Sequence, residues 1–384
     1  MSRTAMATCS TRLSFMLCSP AHPLPVRAGM FLRESGYYKT SYRADMALFP
    51  HPAVARIVWA SLFLLFVPVP LFGDEHLLAV LTLNAINLVG ALGLTILLGY
   101  AGQISLGHGA FMSVGAYTAA NLAVRLDMPF WLTLPAGAAM AALIGIVVGL
   151  PSLRIRGFYL AIATLAAQLV IEWIINRTPA ISGGIQASIH VPRPELFGLR
   201  LDSAAELYLF VMAVAVAGLL AALNLGRSRL GRAMVAVREH ETAAALMGVD
   251  TARVKLAAFA LSAAYGGVAG VLFTYYLGVA NYQQYTFAIS IYYLAVNIIG
   301  GLGSVWGALL GLAFLSLVPR FVFLAMTTAG AWFVDLAYMA QAVAQVRQMT
   351  FGVLILAFLV LEPEGLAALW RRARNRLRAW PFSY

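Results

Sequence analysis

The stretch from residue 99 to residue 111 combines several glycines with polar side chains, directly after a long apolar segment. Each glycine costs a helix about 1 kcal/mol relative to alanine, so a helix is predicted to end here. If the neighbouring helices cross a membrane, such broken backbone survives only where protein buries it or where it lines a watery cavity. The residues concerned are Gly99, Gly102, Gln103, Ser105, Gly107, His108 and Gly109.

Two interpretations of this stretch stay open on the residues alone. It lines a solute pathway, or it forms a tight turn between packed helices whose polar groups bond neighbouring backbone. His108 by itself is better explained as a hydrogen-bonding packing residue than as a proton carrier.

A second glycine cluster separates two later apolar segments, and the same two interpretations apply to it. Here a reversal between packed helices is slightly favoured. A third turn, Ser182-Gly183-Gly184, is suited equally to a plain loop and to an outer docking surface. The second cluster comprises Gly300, Gly301, Gly303 and Gly307.

A polar loop later in the chain is predicted to contain one helix, 233–247, with Gly248 as its C-terminal cap. Val237, Ala244 and Met247 fall near one face at helical spacing. A short helix of small residues that projects from an apolar bundle suits a socket on a soluble partner. The alternative is a solvated helix that anchors the loop by its positive charges.

The composition predicts the elements that hold these segments in place. Hydrophobic residues make up 61% of the chain and charged residues 11%, whereas soluble domains carry about 25% charged residues. Several apolar runs approach or exceed the roughly 18 residues that mark a membrane span. We therefore predict an all-α, polytopic transmembrane bundle of about ten spans, within a range of eight to ten. The spans are placed at about 54–72, 77–98, 108–124, 131–150, 158–175, 208–225, 256–277, 286–300, 304–326 and 350–361.

We attribute the positive charge of the chain to its membrane topology rather than to nucleic-acid binding. Of 26 Lys and Arg residues, 20 lie in residues 1–56, the Arg154/Arg156 link, the 226–255 loop and the tail after Trp370. Alternating crossings place all four segments, and both termini, on the cytoplasmic side, as the positive-inside rule requires. The predicted organisation is a poorly ordered basic extension at 1–50, a transmembrane domain at 51–370 that contains the 226–255 loop, and a basic cytoplasmic tail at 371–384.

Several catalytic motifs are absent. A phosphate-binding loop needs a Gly-Lys pair, but Lys39 and Lys255, the only lysines, follow Tyr38 and Val254. Neither a zinc-protease motif nor a nucleophile elbow is present, and no metal site or cofactor is predicted. Membrane-embedded acids are few, with Glu172 the clearest, so any uphill transport would draw its energy from another protein.

Ordered motifs along the chain carry a family resemblance. They are GYAGQISLGHGAF at 99–111, RGFYLA at 156–161, GG at 183–184, GRA at 231–233, AVRE at 236–239, AA at 243–244, Gly248, and GGLGSVWGALLG at 300–311. In this order and spacing they resemble the LivM-type permeases of branched-chain amino acid ATP-binding-cassette importers, over about residues 84–362.

The resemblance implies a multi-pass protein of the bacterial inner membrane with no ATPase site of its own. Its implied partners are a second homologous permease, two cytoplasmic ATPase subunits that hydrolyse ATP, and a periplasmic substrate-binding protein. It also implies that 236–248 is the coupling helix that docks in a groove of the ATPase. The residues assigned to this contact are Arg238, Glu239, Glu241, Ala244 and Gly248.

Two other functions stay open at this stage. A permease of the same superfamily for urea, short amides or other small polar solutes would carry the same motifs, and a stand-alone secondary transporter or channel belongs to a different class. The chain departs from the family pattern at His240, Ala245 and Ala187, and the 327–349 segment has no clear counterpart in the family.

Overall fold

A computed structural model describes residues 66–155, 157–184, 188–196, 199–200 and 203–330, with scattered residues between 349 and 372. The described residues belong to one compact unit, Leu48–Ala373. Predictions for 1–50, for most of 54–72 and 350–361, for most of 327–349 and for nearly all of the 371–384 tail lie outside the described residues.

Helices account for most of the described chain. The long apolar runs form them because a helix satisfies every backbone polar group internally, which hydrocarbon cannot do. The helices are α1 (Pro68–Phe72), α2 (Glu75–Leu94), α3 (His108–Arg125), α4 (Phe130–Gly149), α5 (Phe158–Arg177), α6 (Pro179–Ser182), α7 (Ala204–Arg227), α8 (Arg229–Glu239), α9 (Glu241–Leu246), α10 (Thr251–Leu277), α11 (Phe287–Gly300) and α12 (Val305–Gly330).

Short extensions and strands complete the described fold. A π-helical turn, Thr95–Tyr100, prolongs α2, and a 3₁₀ turn, Leu150–Leu153, prolongs α4. Four two-residue strands form two antiparallel pairs. β1 (Ile189–His190) pairs with β4 (Val279–Ala280), and β2 (Glu195–Leu196) pairs with β3 (Leu199–Arg200).

The all-α membrane bundle predicted from the sequence is confirmed. Five helical segments of the described chain are long and apolar enough to cross a membrane, and they match the predicted spans 77–98, 131–150, 158–175, 208–225 and 256–277. The predicted spans 286–300 and 304–326 form a pair bent by 113° at the second glycine cluster. The predicted span 108–124 is helix α3, which is not among the five because it is rich in small and polar residues.

Helix α3 lies inside the bundle. More than half of the spanning parts of α2 and α10 is buried, compared with less than a third for α4, α5 and α7. Close backbone contact makes this arrangement compact. A Cβ atom added to Gly267 of α10 would lie 2.9 Å from the Gly137 carbonyl oxygen of α4, and one added to Gly137 would lie 3.0 Å from the Gly115 oxygen of α3. Small residues allow such close approach.

The prediction of one helix over 233–247 is wrong. The chain forms two helices, α8 and α9, which are separated at His240, where the backbone is extended (φ −149°, ψ 97°). Gly248 does cap the second helix. Its N–H donates to the Ala245 carbonyl and that of Val249 donates to the Ala244 carbonyl, which is the Schellman pattern. Gly248 has the positive φ of 86° that this position needs.

Candidate functional site

The first glycine stretch is an interruption between α2 and α3. After the π-helical turn the chain leaves the helix at Ala101, and Gly102 takes a positive φ of 67°. Helix α3 begins at His108, beside Gly93 of α2. Gly93 lies seven residues before Tyr100, so α3 starts about 10 Å inside the end of α2. The non-helical segment therefore runs back into the bundle, as broken backbone buried in protein can.

Side chains from α5 and α11 bind the N–H groups at the start of α3. The Leu106 N–H donates to Thr164 Oγ1 (3.0 Å), that of Gly109 to Ser290 Oγ (2.7 Å) and that of Ala110 to Gln168 Oε1 (2.5 Å). The first N–H groups of a helix have no partner within the helix, so these contacts satisfy groups that would otherwise be costly to bury. The start of α3 at membrane depth is thus held by three hydrogen bonds from two neighbouring helices.

The His108 ring is fully buried among aromatic side chains and glycines. Its centroid lies 5.4 Å from that of Tyr293 and 6.4 Å from that of Phe111, both edge-on. A Cβ atom on Gly93 would approach the ring to 3.0 Å. These close contacts agree with a packing role, but neither ring nitrogen has a hydrogen-bond partner among the described residues, so the expected hydrogen bond of His108 is not found.

The second glycine cluster makes the tight bend between α11 and α12. Gly301 and Gly303 have positive φ angles of 108° and 80°. A Cβ atom on Gly307 would lie 2.6 Å from the Gly300 carbonyl oxygen and 2.9 Å from that of Gly301. The bend is therefore a close backbone reversal, as predicted for this cluster.

The two glycine clusters meet at the end of the bundle that carries the 226–255 loop, which we call the basic end. A Cβ atom on Gly99 would lie 2.6 Å from the Gly303 Cα atom. No side chain fits between these backbones. The sequence motifs gave no sign of this contact, because the residues are 204 positions apart.

Arg238 of α8 joins this contact. Its Nη1 donates to the Gly99 carbonyl oxygen, while Nε (3.1 Å) and Nη2 (2.6 Å) donate to Glu239 Oε1. A Cβ atom on Gly303 would lie 3.2 Å from Arg238 Nη1. One guanidinium therefore contacts both glycine clusters from the polar loop, and three groups of predicted site residues converge at one place.

Helix α9 combines a buried anchor with an exposed tip. Glu241 Oε1 accepts a hydrogen bond from Lys255 Nζ of α10 at 2.6 Å, and the Lys255 side chain is only 7% exposed. Ala244 packs in a buried apolar cluster with Val237. Leu246 and Met247 are 89% and 86% exposed, so the prediction that Met247 shares the face of Val237 and Ala244 is wrong. Two adjacent large apolar side chains thus project from the basic end.

A polar pair in the apolar core was not predicted from the sequence. Thr95 Oγ1 donates to Asn297 Oδ1 at 2.6 Å, and Asn297 Nδ2 donates to the Ala91 carbonyl at 3.2 Å. Gln168 and Ser290, which bind the start of α3, were missed as well. An isolated polar residue in an apolar helix is the sequence feature that could have identified these residues, because such residues usually face the interior of a bundle.

Comparisons with known proteins identify the family of the chain. The family model described as the permease component of branched-chain amino acid transport systems matches residues 76–360. The high-affinity branched-chain amino acid transport permease LivM of Escherichia coli K12 is 34% identical over 288 residues, or 69% of this chain and 68% of that protein. The LivH permease of Salmonella typhimurium LT2 is 28% identical over 249 residues, which cover 60% of this chain and 79% of LivH. The inner membrane ABC transporter permease YjfF of Escherichia coli K12 is 26% identical over 77% of this chain and 86% of its own length. No solved structure gives a significant match.

A multi-span helical bundle with two buried glycine bends agrees with a multi-pass membrane permease. With the family model covering most of its length, the chain belongs to the family of permease components of branched-chain amino acid transport systems.

Proposed function

We propose that this chain is the permease subunit of an ATP-driven importer that moves branched-chain amino acids across the bacterial inner membrane. Its partners are a second homologous permease, two cytoplasmic ATPase subunits and a periplasmic substrate-binding protein. ATP is bound and hydrolysed by the ATPase subunits, and this chain needs no cofactor. The substrate assignment is supported by the names of the LivM and LivH relatives.

The observation that carries the proposal is the contact of Arg238 with both glycine clusters. A helix driven by an ATPase has to pull on the pathway helices to change their access. Arg238 supplies such a connection, because α8 lies directly before α9 in the chain. Movement of α9 would withdraw the guanidinium from the Gly99 carbonyl and release α2 from the bend between α11 and α12.

The tip of α9 is the proposed docking surface for an ATPase. Leu246 and Met247 are adjacent, large, apolar and almost fully exposed. A groove on a soluble partner would bury both, which favours docking by the hydrophobic effect. The Glu241–Lys255 pair supports this role, because it fastens α9 to α10 so that a push on the tip reaches the membrane helices.

Two measurements on one preparation test the proposal. The four-component complex is purified through a tag on this chain, and radiolabelled leucine uptake is measured in proteoliposomes supplied with binding protein and ATP. We expect two ATPase subunits and a second permease to copurify, and uptake to require both ATP and the binding protein. Uptake by this chain alone would instead identify a stand-alone transporter, and uptake of urea or a short amide in place of leucine would reassign the substrate.

A further inference from the structure

Helix α3 leads into an exposed connection at the end of the bundle opposite the basic end, which we call the outer end. The Asn121 side chain of α3 donates to the Ile181 carbonyl oxygen at 2.8 Å. Ile181 lies four residues beyond Arg177, where the spanning helix α5 ends. Leu126 lies five residues beyond Asn121, which carries the chain about 7.5 Å further along the helix axis. The connection between α3 and α4 therefore projects past the membrane-spanning part of α5.

All six residues of this connection, 124–129, are exposed. Three of them carry large apolar side chains, since Val124, Leu126 and Met128 are 46%, 62% and 37% exposed. The exposed apolar side chains of α4 and α5 lie within membrane spans, where lipid covers them. Those of the connection lie past the span of α5 and meet water. Such a cluster indicates contact with another molecule, and we call residues 124–128 the outer tip.

Two charged side chains of opposite sign alternate with these apolar residues. Arg125 and Asp127 are both exposed, and neither side chain has an ion pair or a hydrogen bond within the described part of the chain. An anionic lipid surface would attract Arg125 and repel Asp127. A protein surface presents charges of both signs and pairs with each. The outer tip is therefore better suited to a protein than to a lipid surface.

Asp127 gives the outer tip an unusual backbone conformation. Its φ angle is +46°, and it is the only residue other than glycine with a positive φ among the described residues. Glycine adopts this conformation freely, whereas a residue with a side chain does so at a cost in free energy. Strained residues of this kind cluster where function needs them. The carboxylate stands where glycine would form the turn more easily, which indicates a role for the side chain.

Helix α3 connects the outer tip to the first glycine stretch. It is unbroken from His108 to Arg125, a length of about 26 Å, and 12 of its 18 residues are buried. A buried, continuous helix moves as one body, so a displacement of the outer tip reaches the start of α3. The glycine stretch at that start is the segment whose Gly99 carbonyl accepts the hydrogen bond from Arg238.

We propose that the outer tip is a docking surface for the periplasmic substrate-binding protein. The inference rests on the proposed function, which includes that protein, and assigns the surface of this chain that it contacts. Leu126 and Met128 are buried in the contact, while Arg125 and Asp127 pair with opposite charges. Docking then acts on the first glycine stretch through α3 from the outer side, as the 226–255 loop acts on it from the cytoplasmic side.

Uptake kinetics of the reconstituted four-component complex test the proposal. ATP-driven leucine uptake into proteoliposomes is measured while the concentration of leucine-loaded binding protein is varied. Leu126→Asp places a charge inside the apolar contact and should raise the KM for the binding protein at least about tenfold. The maximal rate should stay within about twofold of the wild type, because the variant weakens binding alone.

Leu71→Asp is the matched control. Leu71 is another exposed leucine of the outer end, in helix α1, and the same substitution there should leave the KM for the binding protein unchanged. A wild-type KM in Leu126→Asp, or an equal rise in both variants, would overturn the proposal.

Asp127→Gly separates docking from folding. Glycine adopts the positive φ without strain, so the melting temperature of the complex should stay within about 2 °C of the wild type. Loss of the carboxylate should nevertheless raise the KM for the binding protein at least about threefold, because one charge of the contact loses its partner. A purely structural role for Asp127 predicts the opposite result, a wild-type KM, and that result would contradict the proposal.

Photo-crosslinking identifies what covers the outer tip. Leu126→p-benzoylphenylalanine places a light-activated group on this chain in the same proteoliposomes, with purified binding protein added outside. We expect a cross-link between this chain and the binding protein. Cross-links to lipid or to the second permease, with none to the binding protein, would refute the assignment.

The kinetic measurements also separate this inference from the proposed function. Leucine uptake that needs no binding protein refutes the proposed function. Uptake that requires the binding protein, with a wild-type KM in Leu126→Asp, refutes only the docking surface.

Discussion

Substitution of Gly99 by alanine is the sharpest perturbation of the contact between the two glycine clusters. The new methyl group would lie 2.6 Å from Gly303 Cα and 2.8 Å from Gly303 N. Non-bonded carbon atoms prefer about 3.5–4.0 Å, so the two backbones must separate by roughly 1 Å. Both neighbours are main-chain atoms, and no flexible side chain can move aside to absorb the overlap.

The expected loss of transport in Gly99→Ala follows from two effects. Overpacking of this kind costs about 1–3 kcal/mol. The separation also strains the hydrogen bond from Arg238 to the Gly99 carbonyl oxygen, and bonds to charged groups contribute about 1.5–3 kcal/mol. Since about 1.4 kcal/mol corresponds to a factor of ten, ATP-driven leucine uptake should fall at least tenfold. ATP turnover by the partner subunits should persist, because the docking tip at Leu246 and Met247 is unaltered.

Gly218→Ala is the matched control. A Cβ atom there would lie 3.4 Å from Tyr265 Cε1, which is an ordinary contact, and alanine favours the helix by up to about 1 kcal/mol. Uptake should therefore stay within about twofold of the wild type. Uptake and ATP turnover are measured in the same proteoliposomes for both variants. Wild-type uptake by Gly99→Ala would show that the contact does not transmit movement.

Three further perturbations test the surrounding interactions. Glu241→Leu leaves the buried Lys255 ammonium group without its counter-charge and should destabilise the complex by about 3–5 kcal/mol. The loss is measured as a lower melting temperature. Lys255→Met, added to the same variant, should partly restore that temperature. Gly248→Trp changes the cap beside the exposed Leu246 and Met247 and should abolish uptake while the permease still inserts in the membrane. Normal transport by this variant would refute the docking role. Asn297→Leu removes the hydrogen bonds to Thr95 and Ala91 and should lower the free energy of unfolding by about 1–2 kcal/mol. Thermal unfolding in detergent measures this loss, and an unchanged melting temperature would contradict the structural role.

The spans were predictable because their signal is local. An apolar run of sufficient length forms a helix wherever it lies in the bundle, and glycines interrupt it wherever they occur. The cap at Gly248 was predictable for the same reason, since the Schellman pattern depends on six consecutive residues. The break at His240 was not, because no glycine or proline marks it.

The geometry of the site depends on contacts between residues that are distant in the sequence, and local sequence patterns do not indicate such contacts. The glycine stretches and the loop helix were each recognised as functional candidates, but nothing in their sequences indicates that Gly99, Gly303 and Arg238 meet. The same holds for Glu241 with Lys255 and for Thr95 with Asn297, whose partners lie 14 and 202 positions away. Pairing of this kind is decided by tertiary packing.

The chemistry of the guanidinium explains why an arginine suits the meeting point. Gly99 lies in the last turn of the helical segment that ends at Tyr100, where carbonyl groups have no partner within the helix and favour a cation. The planar fork of Arg238 serves the Gly99 carbonyl and Glu239 at once, whereas an ammonium group is a single point charge. The proposed coupling segment thereby caps α2, and a movement that removes the cap leaves the carbonyl to find water. The end of α2 then has two distinct bonding arrangements, one with the loop in place and one without it. A driven change in access requires an element of this two-state kind.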